Sequence, residues 1–180
     1  MYRKLKNCEL NRLSKEDFKA TPKIPIVLVL DNIRSQHNIG AAFRTADAFA
    51  LESIVLCGIC ATPPSPEIHK SALGAEESMD WQYVADSLVA VLDLKAQGYK
   101  IISIEQTESS TLLSDFTPIE GEKYVLIFGN EVKGVQQEVV DASDMVVEIP
   151  QFGTKHSLNV SVSVGIVIWE FAKSIKTLCK

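Results

Sequence analysis

The chain reads as an α/β domain: a mainly parallel sheet with helices on both faces. Three observations predict this class. Short, continuous apolar runs such as Ile26-Val27-Leu28-Val29-Leu30 suit strands covered on both sides. Segments with apolar residues at helical spacing alternate with these runs, the rhythm of strand–helix–strand units. At 180 residues, 46% hydrophobic and 23% charged, the chain carries enough apolar material for one core.

The elements follow in order. Ser14 heads Lys15-Glu16-Asp17 as an N-cap with acids in the first turn, which predicts a short helix to Ala20, ended by Pro22 and Pro25. Residues 26–30 form the first strand and 31–37 a polar loop. A helix then starts at Asn38 or a neighbour, with Ala42, Phe43, Ala46 and Phe49 on one side. Residues 53–57 are a second strand, and Thr62-Pro63-Pro64-Ser65-Pro66 is a loop. Residues 87–97 place Leu88, Val91, Leu92 and Lys95 at helical spacing and stop at Gly98. Strands over 100–105, 124–128 and 145–149 complete the sheet, with a short helix over 136–142. Val160-Ser161-Val162-Ser163-Val164 alternates with period two, a strand pattern, whereas Ile166, Trp169, Glu170, Ala172 and Lys173 suit a helix.

Charge divides the chain unevenly. Residues 1–23 hold seven Lys/Arg against three acids, hence +4, and the net charge of −5 leaves −9 for the rest. We therefore expect a basic N-terminal arm over 1–25, either a solvated helix or a contact for a phosphate backbone, and a single domain over 26–180. No apolar run is long enough to cross a bilayer, and no signal or transit pattern opens the chain, so a cytoplasmic protein without a membrane partner is expected. Cys8, Cys57, Cys60 and Cys179 are then reduced. Cys57-Gly58-Ile59-Cys60 has zinc and redox spacing, but it has no second pair and ends a strand, so we read structural thiols and no metal.

Three stretches follow strands and join glycine to polar side chains: Asn38-Ile39-Gly40-Ala41-Ala42-Phe43-Arg44, Gly129-Asn130-Glu131-Val132-Lys133-Gly134-Val135, and 149–160 (Ile149-Pro150-Gln151-Phe152-Gly153, then Ser157-Leu158-Asn159). Ligands of parallel sheets bind beyond the carboxyl ends of the strands, so the three can gather at one edge. No G-x-G-x-x-G follows the first strand and no G-K-[ST] ends the second stretch, which argues against a nucleotide-dependent enzyme of Rossmann or P-loop type.

In this order and at these separations the stretches resemble the motifs of the SpoU (TrmH-like) family of SPOUT RNA methyltransferases. The first is similar to N-x-G-x-x-x-R at Asn38, Gly40 and Arg44, the second to G-x-E-x-x-G at Gly129, Glu131 and Gly134, the third to I-P-x-x-G-x-x-x-S-L-N-V-S-V. The likeness runs over about residues 26–173, with departures at Val132-Lys133, Gln151 and Ser163. It implies a C-terminal deep trefoil knot, which general rules of chain topology would not suggest. It further implies S-adenosyl-L-methionine as cofactor, a homodimer with active sites near the interface, and methyl transfer to a ribose 2′-hydroxyl of RNA. A tRNA is favoured over rRNA because the chain resembles a compact member without the auxiliary RNA-binding domain. A catalytically silent RNA-binding or cofactor-binding scaffold of the same fold is the alternative. The resemblance also decides for helix over 157–176.

By the same carry-over, backbone groups around Gly129, Ile149, Leu158 and Asn159 hold the cofactor, Phe128, Pro150 and Gly153 shape the pocket, and Ile104-Glu105 forms a wall. Their glycines are expected to allow close approach of the ligand. Arg44 is the catalytic candidate. A guanidinium stays protonated, so a clamp on phosphate and on the developing alkoxide competes with the base role held for the family. Asn38 is expected to orient Arg44 or the ribose, and Glu131 to anchor Arg44 or the substrate. Ser157 and Asn159 bind phosphate, cofactor or each other, with helix capping as the structural alternative. His37 and His156 flank motif positions as candidate proton carriers, phosphate contacts or solvated residues; His69 reads as structural. Ile166, Ile168, Trp169 and Phe171 serve either the dimer or the core.

Overall fold

A computed structural model of the chain describes residues 2–175. Cys179, and Lys176 at the expected end of the last helix, lie outside the described residues. The first half runs α1 (Lys15–Ala20), β1 (Ile24–Asp31), α2 (Gln36–Ala48), β2 (Leu51–Cys57), α3 (Pro66–Ala72), α4 (Ala75–Ser78) and β3 (Trp81–Val84). The second half runs α5 (Ser87–Ala96), β4 (Lys100–Ile104), β5 (Thr111–Leu112), β6 (Tyr124–Phe128), α6 (Gln137–Ala142), β7 (Met145–Glu148) and α7 (Val160–Ile175). The strands form one seven-stranded sheet in the order β3-β2-β1-β6-β4-β7-β5, and every pairing is parallel.

Alternation along β1 splits the core between the two faces. Ile26, Leu28 and Leu30 join a cluster with Phe43 of α2, Ile68 of α3 and Phe171 of α7. Val27 and Val29 point the other way, to Val91 and Leu94 of α5 and Val139 of α6. Phe18 of α1 is buried in the first cluster, so the basic segment is tied to the body at that residue.

Four of the elements named above escaped the sequence reading. β3 and β5 are edge strands of four and two residues, too short for a period to show. The Pro-rich loop gives way to α3 at Pro66, where Ser65 Oγ accepts Ile68 N–H at 3.4 Å and a proline fills the first turn. The glutamates of α4 follow it directly. Boundaries also move: Asp31 is the last residue of β1, and α2 starts at Gln36 with Ser35 as its cap, so the polar loop is only 32–35.

The ambiguous segment is helix, but from Val160 and not Ser157. Asn159 Oδ1 accepts Ser161 N–H at 2.8 Å, and its carbonyl accepts from Val162 and Ser163 at 3.0 Å. Val164, Val167, Ile168, Phe171 and Ala172 are buried at helical spacing, so packing on the sheet overrides the β pattern of the valines. Ile168 and Phe171 are therefore core. Val162, Ile166 and Trp169 stay exposed along one side.

A parallel sheet sends every strand's carboxyl end to the same edge. The loops after β1, β4, β6 and β7 lie there; the second and third motif stretches run along the loops after β6 and β7, and the first lies in α2, which follows the loop after β1.

Candidate functional site at the carboxyl edge of the sheet

The loop after β6 is held by one side chain. Asn130 Oδ1 accepts Val132 N–H at 2.9 Å and Lys133 N–H at 3.1 Å, while its Nδ2 donates to Asn32 carbonyl at 2.7 Å. Its backbone exchanges two hydrogen bonds with Gly134, at 3.0 and 2.9 Å. The turn needs glycine at both ends. Gly134 has φ of 70° and a Cβ there would lie 2.1 Å from Glu105 Oε2; one on Gly129 would lie 2.0 Å from Val135 N. These glycines make room for the loop's own backbone and for Glu105. A Cβ on Gly153 would meet nothing within 4 Å.

Side chains from all three motifs form one polar chain. Glu131 accepts from Arg34 N–H at 3.0 Å, Ser35 N–H at 3.1 Å and Asn38 Nδ2 at 3.1 Å. Asn38 Oδ1 in turn accepts from Asn159 Nδ2 at 3.2 Å. Partial burial pushes the Glu131 carboxyl up, but the N–H groups of Arg34, Glu131 itself and Ser35, with the Asn38 amide, outweigh it and hold the acid below its usual range. The anchoring role expected of Glu131 thus goes to the backbone of 34–35 and to Asn38. Arg44 is exposed, and among the described residues no carboxylate or amide pairs with it, so Asn38 and Glu131 do not orient Arg44 within one subunit.

Beside this chain lies a cavity of about 700 Å³, inside the roughly 300–1,000 Å³ of small-molecule sites. Ile104, Phe128, Ile149 and Leu158 give it apolar walls, with Gly129, Ser157 and Asn159 among the other lining residues. Glu105, Glu131 and Glu148 face it against Lys133 alone. Apolar walls and an excess of carboxylate suit a ligand with a planar base and a net positive charge, which S-adenosylmethionine has. Pro150, Gly153, Asn38 and Arg44 are not in the lining; Asn38 reaches it only through Glu131 and Asn159.

One important group had no sequence signal. Asp31 is fully buried at the end of β1 and accepts from Asn32 Nδ2 at 2.8 Å, Ser87 Oγ at 2.5 Å, Gln136 N–H at 2.9 Å and Gln136 Nε2 at 2.8 Å. It locks the exit of the β6 loop onto β1. In the sequence the continuous apolar run simply ends at residue 31, which does not distinguish a buried acid from a loop residue.

The remaining candidates lie apart from the cavity or at its margin. His156 is exposed, and its carbonyl accepts from Gln106 Nε2 at 2.9 Å. His37 Nε2 sits 3.8 Å from Glu67, and His69 Nδ1 sits 2.5 Å from Glu76. Among the described residues His69, Glu76 and Glu77 are the one group with metal-ligand character, and Glu77 is already paired with Lys15. Burial, the largest effect on each thiol, pushes Cys57 up to about 12 and Cys60 up to about 11, which fits structural thiols. No helix among the described residues is long and apolar enough to cross a membrane.

The model of the SpoU rRNA Methylase family matches residues 25–169. The chain belongs to this family. Its relatives include the 23S rRNA (guanosine-2'-O-)-methyltransferase RlmB of Neisseria meningitidis serogroup B, 34% identical over 146 residues, which are 81% of this chain and 57% of that protein. The chain spans between 55% and 61% of the first curated relatives it matches. A solved structure, the AdoMet-bound rRNA methyltransferase from Sinorhizobium meliloti, shares the fold at a TM-score of 0.78 and 24% identity, over 91% of this chain and 61% of that one. Another, solved in work on the 2-OH methylation of C/U34 on tRNA, is 26% identical with a TM-score of 0.72, over 84% of this chain and 97% of that one.

Proposed function

We propose that the chain is an S-adenosylmethionine-dependent RNA methyltransferase that acts on a ribose 2′-hydroxyl, with tRNA favoured over rRNA. The observation that carries this is the hydrogen-bonded chain Glu131–Asn38–Asn159, which joins side chains of all three motifs at the mouth of one cavity. A silent scaffold has no need of polar groups held in register there. A structural neighbour solved in work on the 2-OH methylation of C/U34 on tRNA, matched over 97% of its own length, supports the tRNA preference.

The cofactor, when bound, supplies a methyl group on a sulfonium. The cavity's apolar walls (Ile104, Phe128, Ile149 and Leu158) hold its base, and Glu105, Glu131 and Glu148 favour its positive charge. The protein's own task is to place the ribose oxygen in line and stabilise it as it loses its proton, since orientation is a large part of catalysis. Asn38 and Asn159 hold each other at fixed spacing, and Ser157 offers a hydroxyl from the same lining. Arg44 acts as a permanent cation that binds the neighbouring phosphate and stabilises the alkoxide. That it has no side-chain partner among the described residues of its own subunit supports a homodimer in which it serves a site shared between copies. The sheet path supports the knot as well: after β5 at one edge the chain inserts β6 beside β1, then crosses β4 again to lay down β7.

The test is methyl transfer from tritiated S-adenosylmethionine to tRNA and, separately, rRNA from a strain lacking the protein. Label in the tRNA pool, alkali-resistant at one dinucleotide, is expected; label confined to rRNA reverses the preference, and none in either pool overturns the reading. Arg44→Ala is expected to lower turnover by about 100-fold or more with cofactor affinity unchanged. Wild-type turnover in that variant, with normal RNA binding, removes Arg44 from the mechanism.

A further inference from the structure

We propose that the rim of the cavity docks an unpaired RNA segment, with Arg34, Lys133 and Lys155 on its phosphates and Phe152 stacked on one of its bases. This rests on the methyltransferase reading above and adds the form of RNA and the residues that hold it.

The pairing of the cations carries the argument. Residues 24–175 contain nine Lys and Arg. Lys70, Lys95, Lys100 and Lys173 are in ion pairs with Glu67, Asp144, Glu122 and Glu170. Lys123 lies over the Tyr99 ring at 5.2 Å. The other four, Arg34, Arg44, Lys133 and Lys155, have no side-chain partner among the described residues. All four stand on segments that follow the carboxyl ends of β1, β6 and β7, which are the segments that build the site. Within this span, every Lys and Arg without a side-chain partner lies on a segment that follows the carboxyl end of a strand of the site.

The lining carries three carboxylates against one cation. The lining is acidic at Glu105, Glu131 and Glu148, so it repels phosphate while admitting an uncharged ribose. Lys133 is the one cation in the lining, and Arg34 and Lys155 lie outside it. Arg34 is on the loop whose N–H binds Glu131, Lys133 is beside Glu131 on the next loop, and Lys155 precedes His156, whose carbonyl is tied to Gln106. A nucleic acid backbone is held along the rim while one ribose enters.

Phe152 fixes the form of the RNA. It is 96% exposed, on the loop between the lining residues Gln151 and Ser157. A whole aromatic face in water beside unpaired cations is the composition of a single-strand platform. Bases within a duplex are covered by their neighbours, so only an unstacked base reaches such a ring.

The experiment measures binding of a labelled oligouridylate and of a blunt RNA duplex as a function of salt, with tritium transfer to tRNA and rRNA run in parallel. The single strand is expected to bind more tightly. Arg34→Gln, Lys133→Gln and Lys155→Gln should each reduce the slope of log affinity against log salt by about 0.7. Phe152→Ala should weaken single-strand binding by about tenfold with the slope unchanged, and Phe152→Trp should restore it. Unchanged melting temperature, and unchanged cofactor affinity in the Arg34→Gln and Lys155→Gln variants, shows that the fold is intact. Tighter binding of duplex, a slope that falls only when Lys4, Lys6 and Arg12 of the N-terminal segment are changed to Gln, or a Phe152→Ala protein altered in mass but not in RNA affinity overturns the proposal. Wild-type binding with the expected slopes and no tritium transfer leaves this surface standing and removes only the enzymatic reading.

Discussion

Asn159 uses one side chain for two purposes. Its Oδ1 caps α7 and its Nδ2 reaches Asn38, so capping and site geometry, alternatives in the sequence, are both realised. They separate by substitution. Asn159→Ala is expected to lower stability by about 1 kcal/mol through loss of the cap. Asn159→Asp keeps the cap oxygen but cannot donate to Asn38, so near-native stability with turnover lowered about tenfold or more is expected. Urea unfolding and methyl transfer measured on both variants check this, and equal turnover in Asn159→Asp and wild type removes the site role. The thiols give a second residue-scale prediction. With Cys8 and Cys179 changed to Ser, Cys57 and Cys60 should resist a thiol reagent at neutral pH until the protein unfolds. Folding raises both pKa values, to about 12 and about 11, so the unfolded chain releases its thiol protons first. Their contribution to stability is complete below about pH 8.5 and is lost as pH rises through the folded values.

At the scale of elements, the loop after β6 and helix α7 decide whether the site exists. Glu131 joins the loop to α2, and its folded pKa is depressed. Its contribution is therefore present at neutral pH and disappears as pH falls through that depressed value. Glu131→Gln is expected to cost about 1 kcal/mol at neutral pH, reduced from the usual charged hydrogen bond because the carboxylate is partly solvated. The difference from wild type should vanish in acid; a gap that persists there assigns the loss to shape and not to charge. Helix α7 rests on aromatic packing: Phe171 stacks on Phe116 with centroids 5.3 Å apart and meets the Tyr124 ring edge-on at 5.3 Å. Phe171→Ala is expected to cost about 3–5 kcal/mol in denaturant unfolding. A much smaller loss means that α7 does not close the core at this point.

For the whole molecule the open question of assembly has a surface to test. Val162, Ile166 and Trp169 recur along the exposed side of α7, with Trp169 edge-on to Phe49 at 6.0 Å. This supports the homodimer, and Trp169→Lys is expected to shift light-scattering mass toward the monomer while melting remains cooperative. A wild-type protein that is monomeric at micromolar concentration refutes the shared site. Most of the architecture was legible beforehand: the runs at 26–30 and 124–128 are central strands buried on both faces, where continuous apolarity is the signal. The edge strands β3 and β5 and the short helices α3 and α4 were not, since a period needs more residues than they have.

The sequence by itself determined the α/β class, the positions of the three polar stretches and the family they resemble, because periodicity and motif spacing are local properties of the chain. Only the tertiary structure decided that the last helix starts at Val160 and not at Ser157, that a Cβ on Gly129 or Gly134 would strike the loop's own backbone or Glu105, and that Glu131 holds Asn38 and the backbone of 34–35 while Arg44 has no side-chain partner among the described residues. Those outcomes depend on which groups meet across nearly a hundred residues or more, as between Glu131 and Asn38 or Asn38 and Asn159, and burial and hydrogen bonding at such contacts are set by packing and not by neighbours in sequence.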